Sequence, residues 1–195
     1  MSVSHRLVPD TWGMTGRTLV ELEAGLDAIR RSPADGGTLQ LTVRRPAVDR
    51  RELMEAAELD TEQGLAGDTW RIRGSKRSAD GSADPEAQVT LMNARVAALL
   101  AGSHDAWSAA GDQLYVDLDL AESNLPAGTR LAIGDALLEV SAVPHTGCAK
   151  FSGRFGVDAL RFVSTPEGRE LRLRGLNAKV VRGGIIRLGD RIDKA

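Results

Sequence analysis

"TRLAIGDALLEVSAV", residues Thr129 to Val143, reads as two strands around the Gly134-Asp135 pair. Upstream, "QLYVDLDL" alternates cleanly. Leu114, Val116, Leu118 and Leu120 share one face, and Tyr115, Asp117 and Asp119 the other, the period of two that marks a half-buried strand. Downstream, "NAKVVRGGIIRLGDRI" predicts a hairpin turning at Gly183-Gly184. The apolar-Gly-Asp pattern occurs in both "AIGDALLEV" and "RLGDRI" and marks a repeated turn type rather than a sequence repeat. "TLQLTVR" adds another half-buried strand, with Leu39, Leu41 and Val43 on one face and Pro46 closing it. "AQVTLMNARVAALLAG" begins as a strand and turns helical near Asn93. Short strands with turn signals between them, and no regular strand–helix alternation, predict a mainly β single domain. A closed barrel or a strongly bent sheet meets that description.

Helices are the minority. "TLVELEAGLDAIRR" places Leu19, Leu22, Leu26 and Ile29 on one helical face. Thr18 and Glu21 fit a capping box at its start, and Pro33 with Gly36-Gly37 ends it. Residues 1–37 are therefore expected to form an arm and a helix, and 38–195 the barrel domain. "FGVDALRFVSTPEGRELRLRG" predicts partial helix with Val157, Leu160 and Phe162 inward. "DRRELMEAAELD" is ambiguous and could form a short helical turn, and "GLAGDTWRI" predicts a glycine-punctuated turn leading into a strand. Residues 73–86, "RGSKRSADGSADPE", carry almost no large apolar side chain and form a surface loop. Its length and polarity beside "GLAGD" suggest a mobile lid.

Composition removes several function classes. Apolar residues are 42% of the 195, enough for a core. Charged residues are 27% and nearly balance at a formal −2, which argues against a nucleic-acid binder, as does an aromatic content of 4%. No apolar run approaches the roughly 18 residues of a membrane span. The first residues lack the apolar core of a signal peptide. One cysteine cannot form an internal disulfide, which fits a reducing compartment. A cytoplasmic protein is the expectation.

That cysteine, Cys148, lies in "VPHTGCAKFSGRFG". It reads either as a small buried filler or as a functional thiol. Pro144 and Gly147 put it in a loop, and His145, Lys150 and Arg154 supply nearby positive charge that favours thiolate. One Cys and three His do not make a structural zinc site. Pairing Cys148 with His145 as a hydrolase is weak, because no orienting residue stands out. "GLAGD" lacks the ending of a phosphate loop and reads as a turn.

The order of short motifs then carries information. An "RRP" strand end at 44–46 precedes "GLAGD" at 64–68, "QVTLMN" at 88–93 and "NLPAGTRLAIGDALLEV" at 124–140. "PHTGCAKF" at 144–151 and a closing "RGLNAKVVRGGIIRLGD" follow. Over about residues 38–192 this order resembles the MOSC domain family, named for the molybdenum-cofactor sulfurase C-terminal domain. The resemblance implies a distorted closed β-barrel in a stand-alone MOSC protein. It implies that Cys148 either ligates the metal of a molybdopterin cofactor, as in the amidoxime-reducing component, or carries sulfur as a persulfide. Thiolate suits both roles. By the same resemblance Gly67, Asp68 and Asn124 would line the site. Lys150 and Arg154 would hold the pterin phosphate, and His145 would only tune the thiol. A separate sulfur donor or electron-transfer protein is implied, because the sulfurases' desulfurase domain and the reductases' N-terminal β domain are not visible. Reduction of N-hydroxylated compounds and sulfur relay both stay open, and with them whether the chain is an enzyme. A non-catalytic barrel with a buried, structural Cys148 is the alternative. Substrate and oligomeric state are not readable.

Overall fold

The computed structural model describes residues 5–8, 16–75 and 78–195. Its strands are β1 (His5–Val8), β2 (Gly37–Arg44), β3 (Arg51–Met54), β4 (Ala56–Asp60), β5 (Gly64–Leu65), β6 (Val89–Asn93), β7 (Leu114–Asp117), β8 (Arg130–Ile133), β9 (Ala136–Val140), β10 (Leu176–Arg182), β11 (Gly184–Arg187) and β12 (Arg191–Lys194). Its α-helices are α1 (Leu19–Glu23), α2 (Leu26–Arg30), α3 (Trp70–Arg73), α4 (Ala94–Ala101), α5 (Ala149–Phe155), α6 (Val157–Ser164) and α7 (Pro166–Glu170).

Neighbouring strands run β2-β12-β8-β9-β10-β6-β7, and β7 pairs with β2 again, so seven strands close a barrel. Closure leaves these strands no open edge. β3 and then β1 extend the sheet outward from β2, while β11, β4 and β5 form a separate small sheet. Of the barrel pairs only β6–β7 is parallel. A parallel pair needs a long crossover, and α4 with the 3₁₀ stretch His104–Ala110 provides it.

Leu91, Leu114, Val116, Leu131, Ile133, Leu138, Ala178 and Ile192 fill the core on the barrel side. A second cluster lies where the helices pack on the sheet, from Leu22 and Ile29 through Met92, Val96 and Tyr115 to Phe151, Phe155 and Phe162. The second layer explains Tyr115. It faces away from Leu114 and Val116 yet is fully buried, and its hydroxyl donates to the Trp107 carbonyl at 2.7 Å. That carbonyl lies in the crossover.

Several expectations change. Leu39, Leu41 and Val43 do not share a face. A bulge between Leu39 and Leu41 shifts the register, so Leu39 opposes Val116 in the barrel core while Leu41 opposes Tyr115 under the helices. The hairpin at Gly183-Gly184 does not form: β10 stays in the barrel and β11 crosses to β4. "DRRELMEAAELD" is two strands, β3 and β4, not a helical turn. "GLAGDTWRI" ends in the helix α3, not a strand. The expected single N-terminal helix is two, α1 and α2, interrupted beside Gly25, where a Cβ would meet Leu99 at 2.6 Å. The Thr18–Glu21 capping box is present. Phe162 is buried as expected, but Val157 is exposed. In the 73–86 loop Lys76 and Arg77 lie outside the described residues. Around them the Ser75 amide donates to the carbonyls of Gly81 and Ser82, and the Gly81 amide to that of Ser78. No helix among the described residues is long and apolar enough to cross a membrane.

Candidate functional site

Residues 141–147 leave the barrel after β9 and line one wall of a cleft of about 560 Å³. The start of this segment is pinned to β10. The Ser141 amide donates to the Asn177 carbonyl at 2.9 Å, and Asn177 Nδ2 donates to the Val143 carbonyl at 3.0 Å. Cys148 follows Gly147, is exposed, and stands at the N-cap of α5. The structural alternative required a buried thiol, and this one is not buried. α5 itself is held down by Phe151 and Phe155, whose rings pack 5.0 Å apart.

The cleft is also lined by Arg169 of α7 and by Arg172 and Arg174, between α7 and β10. Arg172 Nη1 donates to the Leu125 carbonyl at 2.6 Å, and burial lowers its pKa. Arg174 is buried. Its Nη1 donates to Asp112 Oδ2 at 2.6 Å, its Nη2 to the Ala110 carbonyl at 3.0 Å, and its guanidinium lies 5.0 Å over the Phe151 ring. Asp112 has no exposed surface, and burial pushes its carboxyl above the ordinary value against the opposing pull of Arg174 and Arg45. Its other oxygen, Oδ1, faces His145 Nδ1 at 3.3 Å. Gly175 permits this approach. Its φ is +98°, and a Cβ there would lie 2.2 Å from the Leu91 carbonyl oxygen and 3.4 Å from His145 Nδ1.

Asp68 and Arg154 converge on the segment that presents Asp112. Asp68 is buried and takes Arg45 Nε and Nη2 at 2.8 and 2.9 Å, and Arg45 Nη1 then donates to the Gly111 carbonyl at 3.0 Å. Arg154 Nη1 donates to the Ala109 carbonyl at 2.9 Å. The consecutive carbonyls of Ala109, Ala110 and Gly111 are thus each held by a different arginine: Arg154, Arg174 and Arg45. Gly67, with φ +76°, brings the turn close to the Arg44 side chain. Asn124 sits elsewhere, donating to the carbonyls of Ala34 and Asp119 and accepting from Lys194 Nζ. Lys150 Nζ pairs with Asp49 at 3.1 Å on the exposed surface. None of these five residues lines the cleft beside residues 141–147.

Asp112, Arg169, Arg172 and Arg174 were not singled out in the sequence. Asp112 precedes an alternating strand as an ordinary turn residue would, and only the packing of three separate elements encloses it. The carboxylate that faces His145 is Asp112, 33 positions upstream in the sequence. Among the described residues no group of three or more His, Cys, Asp or Glu side chains is placed to hold a metal ion.

Known structures share the fold. The YUAD protein from Bacillus subtilis superposes with a TM-score of 0.61 at 17% identity, over 81% of this chain and 94% of that one. YiiM from Escherichia coli gives 0.54 at 17% identity, over 81% and 69%. YiiM from Geobacillus stearothermophilus gives 0.52 at 13%, over 84% and 74%. No curated protein matches in sequence. The family model for the MOSC domain matches residues 78–193, more than half of the chain and inclusive of six of the seven barrel strands, all but β2, so the chain belongs to the MOSC domain family.

Proposed function

We propose that this protein binds a molybdenum cofactor through Cys148, or carries sulfur for that cofactor as a Cys148 persulfide. The observation that carries this reading is the exposure of the lone cysteine directly beyond the cleft wall formed by residues 141–147. An exposed thiol is available as thiolate for a soft metal or as acceptor for a sulfur atom. The residues present fit such a group. The cleft has the size of a small-molecule site, and Arg169, Arg172 and Arg174 are in its lining. Arg169 and Arg172 are the cations best placed in the cleft for an anionic pterin phosphate, because Arg174 is already committed to Asp112. Lys150 and Arg154 remain candidates on the α5 side. Asp68 would act from behind, through Arg45, by fixing the segment that carries Asp112, and Gly67 would shape the turn that leads to Asp68.

When bound, the cofactor would supply two-electron redox chemistry. The chain's own residues would hold it, present its thiol ligand and line the substrate cleft. Reduction of an N-hydroxylated compound would draw electrons from a separate redox protein. Sulfur relay would draw on a separate sulfur donor. Both partners are part of the proposal, as is a cytoplasmic setting.

The test is a metal and pterin assay on wild type and Cys148→Ser, both expressed in a host that makes the cofactor and purified without oxygen. The expected result is near-stoichiometric molybdenum in wild type, lost in the variant. No metal in either, with cyanide-labile sulfur on Cys148, would leave sulfur relay. Neither metal nor labile sulfur would defeat the proposal.

A further inference from the structure

The buried Asp112 carboxylate and the His145 ring form a pair that the cysteine chemistry does not explain. Asp112 is fully buried and the Thr90 hydroxyl also acts on its carboxyl, but Oδ1 makes no hydrogen bond of good geometry, and His145 Nδ1 lies at ion-pair distance from it, 3.3 Å. A carboxylate oxygen is not buried this way without a donor except at considerable cost. An Nδ1–H on His145 is the donor within reach of it. The ring then shows its other edge to the cleft it lines, with a side-chain exposure of 17%. Three elements meet to build this. The segment before β7 brings Asp112, the loop after β9 brings His145, and the segment before β10 brings Arg174 and Gly175.

We propose that Asp112 and His145 are an acid–base pair in which Asp112 fixes the Nδ1–H tautomer and His145 Nε2 moves a proton in the cleft. Asp112 is the positioning residue and His145 the one that meets substrate. The inference rests on the reading of this cleft as the reaction site. For an N-hydroxylated substrate the step balances as R₂N–OH + 2e⁻ + 2H⁺ → R₂NH + H₂O. The N–O bond breaks and nitrogen is reduced, while the separate redox protein is oxidised by two electrons. The His145 imidazolium gives one proton from Nε2 to the departing hydroxyl, which leaves as water. The other proton reaches nitrogen from solvent, and solvent recharges His145. Asp112 favours the imidazolium. Arg174, hydrogen-bonded to the same carboxylate, opposes it, as do Arg169 and Arg172 in the cleft lining, while Glu122 in that lining favours it. Arg45 and the neutral phenol of Tyr115 also interact electrostatically with Asp112.

The deciding measurement is ring-nitrogen NMR of the purified protein labelled at its three histidines, assigned with His145→Gln. Wild type should show the Nδ1–H tautomer for His145 when neutral. Asp112→Asn should release that preference and lower the pH at which His145 takes its proton. Because that variant leaves a buried guanidinium, Asp112→Asn/Arg174→Gln is made beside it to keep the site neutral. An Nε2–H tautomer in wild type, or no change in either variant, overturns the proposal. In protein loaded with cofactor, His145→Gln should keep its molybdenum and lose roughly 100-fold or more in kcat with little change in KM, together with the alkaline limb of the pH profile. Full kcat in a loaded His145→Gln protein also overturns it. Absence of metal from wild type defeats the cofactor reading, and the tautomer then decides the pair by itself.

Discussion

Asp68 accepts from the Arg45 amide, from Arg45 Nε and Nη2, and from the Trp70 amide, with no side-chain surface exposed. Removing one member of such a pair strands the other. Asp68→Ala leaves the Arg45 guanidinium, itself buried, with only the Gly111 carbonyl. The expected loss is about 3–5 kcal/mol, read as a lower urea midpoint at unchanged slope. An unchanged midpoint would mean that Arg45 finds solvent. This places Asp68 among residues that build the site rather than touch its ligand. The sequence could point to Cys148, because a single thiol in a Pro-Gly loop among cations stands out locally. It could not point to Asp112, because what distinguishes that carboxylate is enclosure by segments far apart in the chain. Nothing in its neighbours on either side, Gly111 and Gln113, signals burial.

At the scale of elements, the bulge in β2 does what a regular strand could not. Two residues, Leu39 and Leu41, that a strict period of two would place together are sent to opposite layers. One strand thereby contributes to the barrel core at its start and to the helical layer at its end. Deleting Gln40 makes Leu39 and Leu41 neighbours that still face opposite layers and keeps the pairs Leu39–Val116 and Leu41–Tyr115. The deletion should therefore fold and keep the near-ultraviolet signal of Trp107 and Tyr115, as should Gln40→Thr, which keeps the extra residue. Loss of that signal in the deletion alone, with backbone signal retained, would show that closure of β2 onto β7 needs the local bend of the bulge and not only the alternation of side chains. Strand positions were readable from alternation at β7, β8 and β9, where the pairing is regular. They were misread at β10 and β11, where adjacent glycines resemble a tight turn but the chain is changing sheets. Gly184 is needed there for another reason: a Cβ would lie 2.6 Å from the Asp135 backbone.

At the scale of the whole molecule, the barrel is held shut by contacts between segments far apart in sequence, and several of these are carboxylates. The Asp35 carboxylate accepts from the amides of Gly36 and Lys194, both at 2.9 Å, tying the entry to β2 to the last strand of the barrel. These amides hold its pKa below the ordinary carboxylate value. Glu139 on β9 is lowered by Lys179 and Arg130 on the neighbouring strands β10 and β8. A carboxyl whose folded value is depressed binds fewer protons than in the unfolded chain. Its contribution is therefore present above the unfolded value near pH 4 and is lost as pH falls through the folded one. Asp112 runs the other way. Burial raises it, so its contribution is greatest below the unfolded value and lost as pH rises through the folded one. The depressed groups outnumber it, and the urea midpoint should fall between pH 6 and pH 3. Asp35→Asn keeps an acceptor oxygen for the two amides but removes the titration. Its midpoint should be lower than wild type at pH 6 and should decline less on the way to pH 3. Equal declines in the two proteins would show that closure of the barrel does not depend on the charge at Asp35, and would move the acid sensitivity to Glu139 and its two cations.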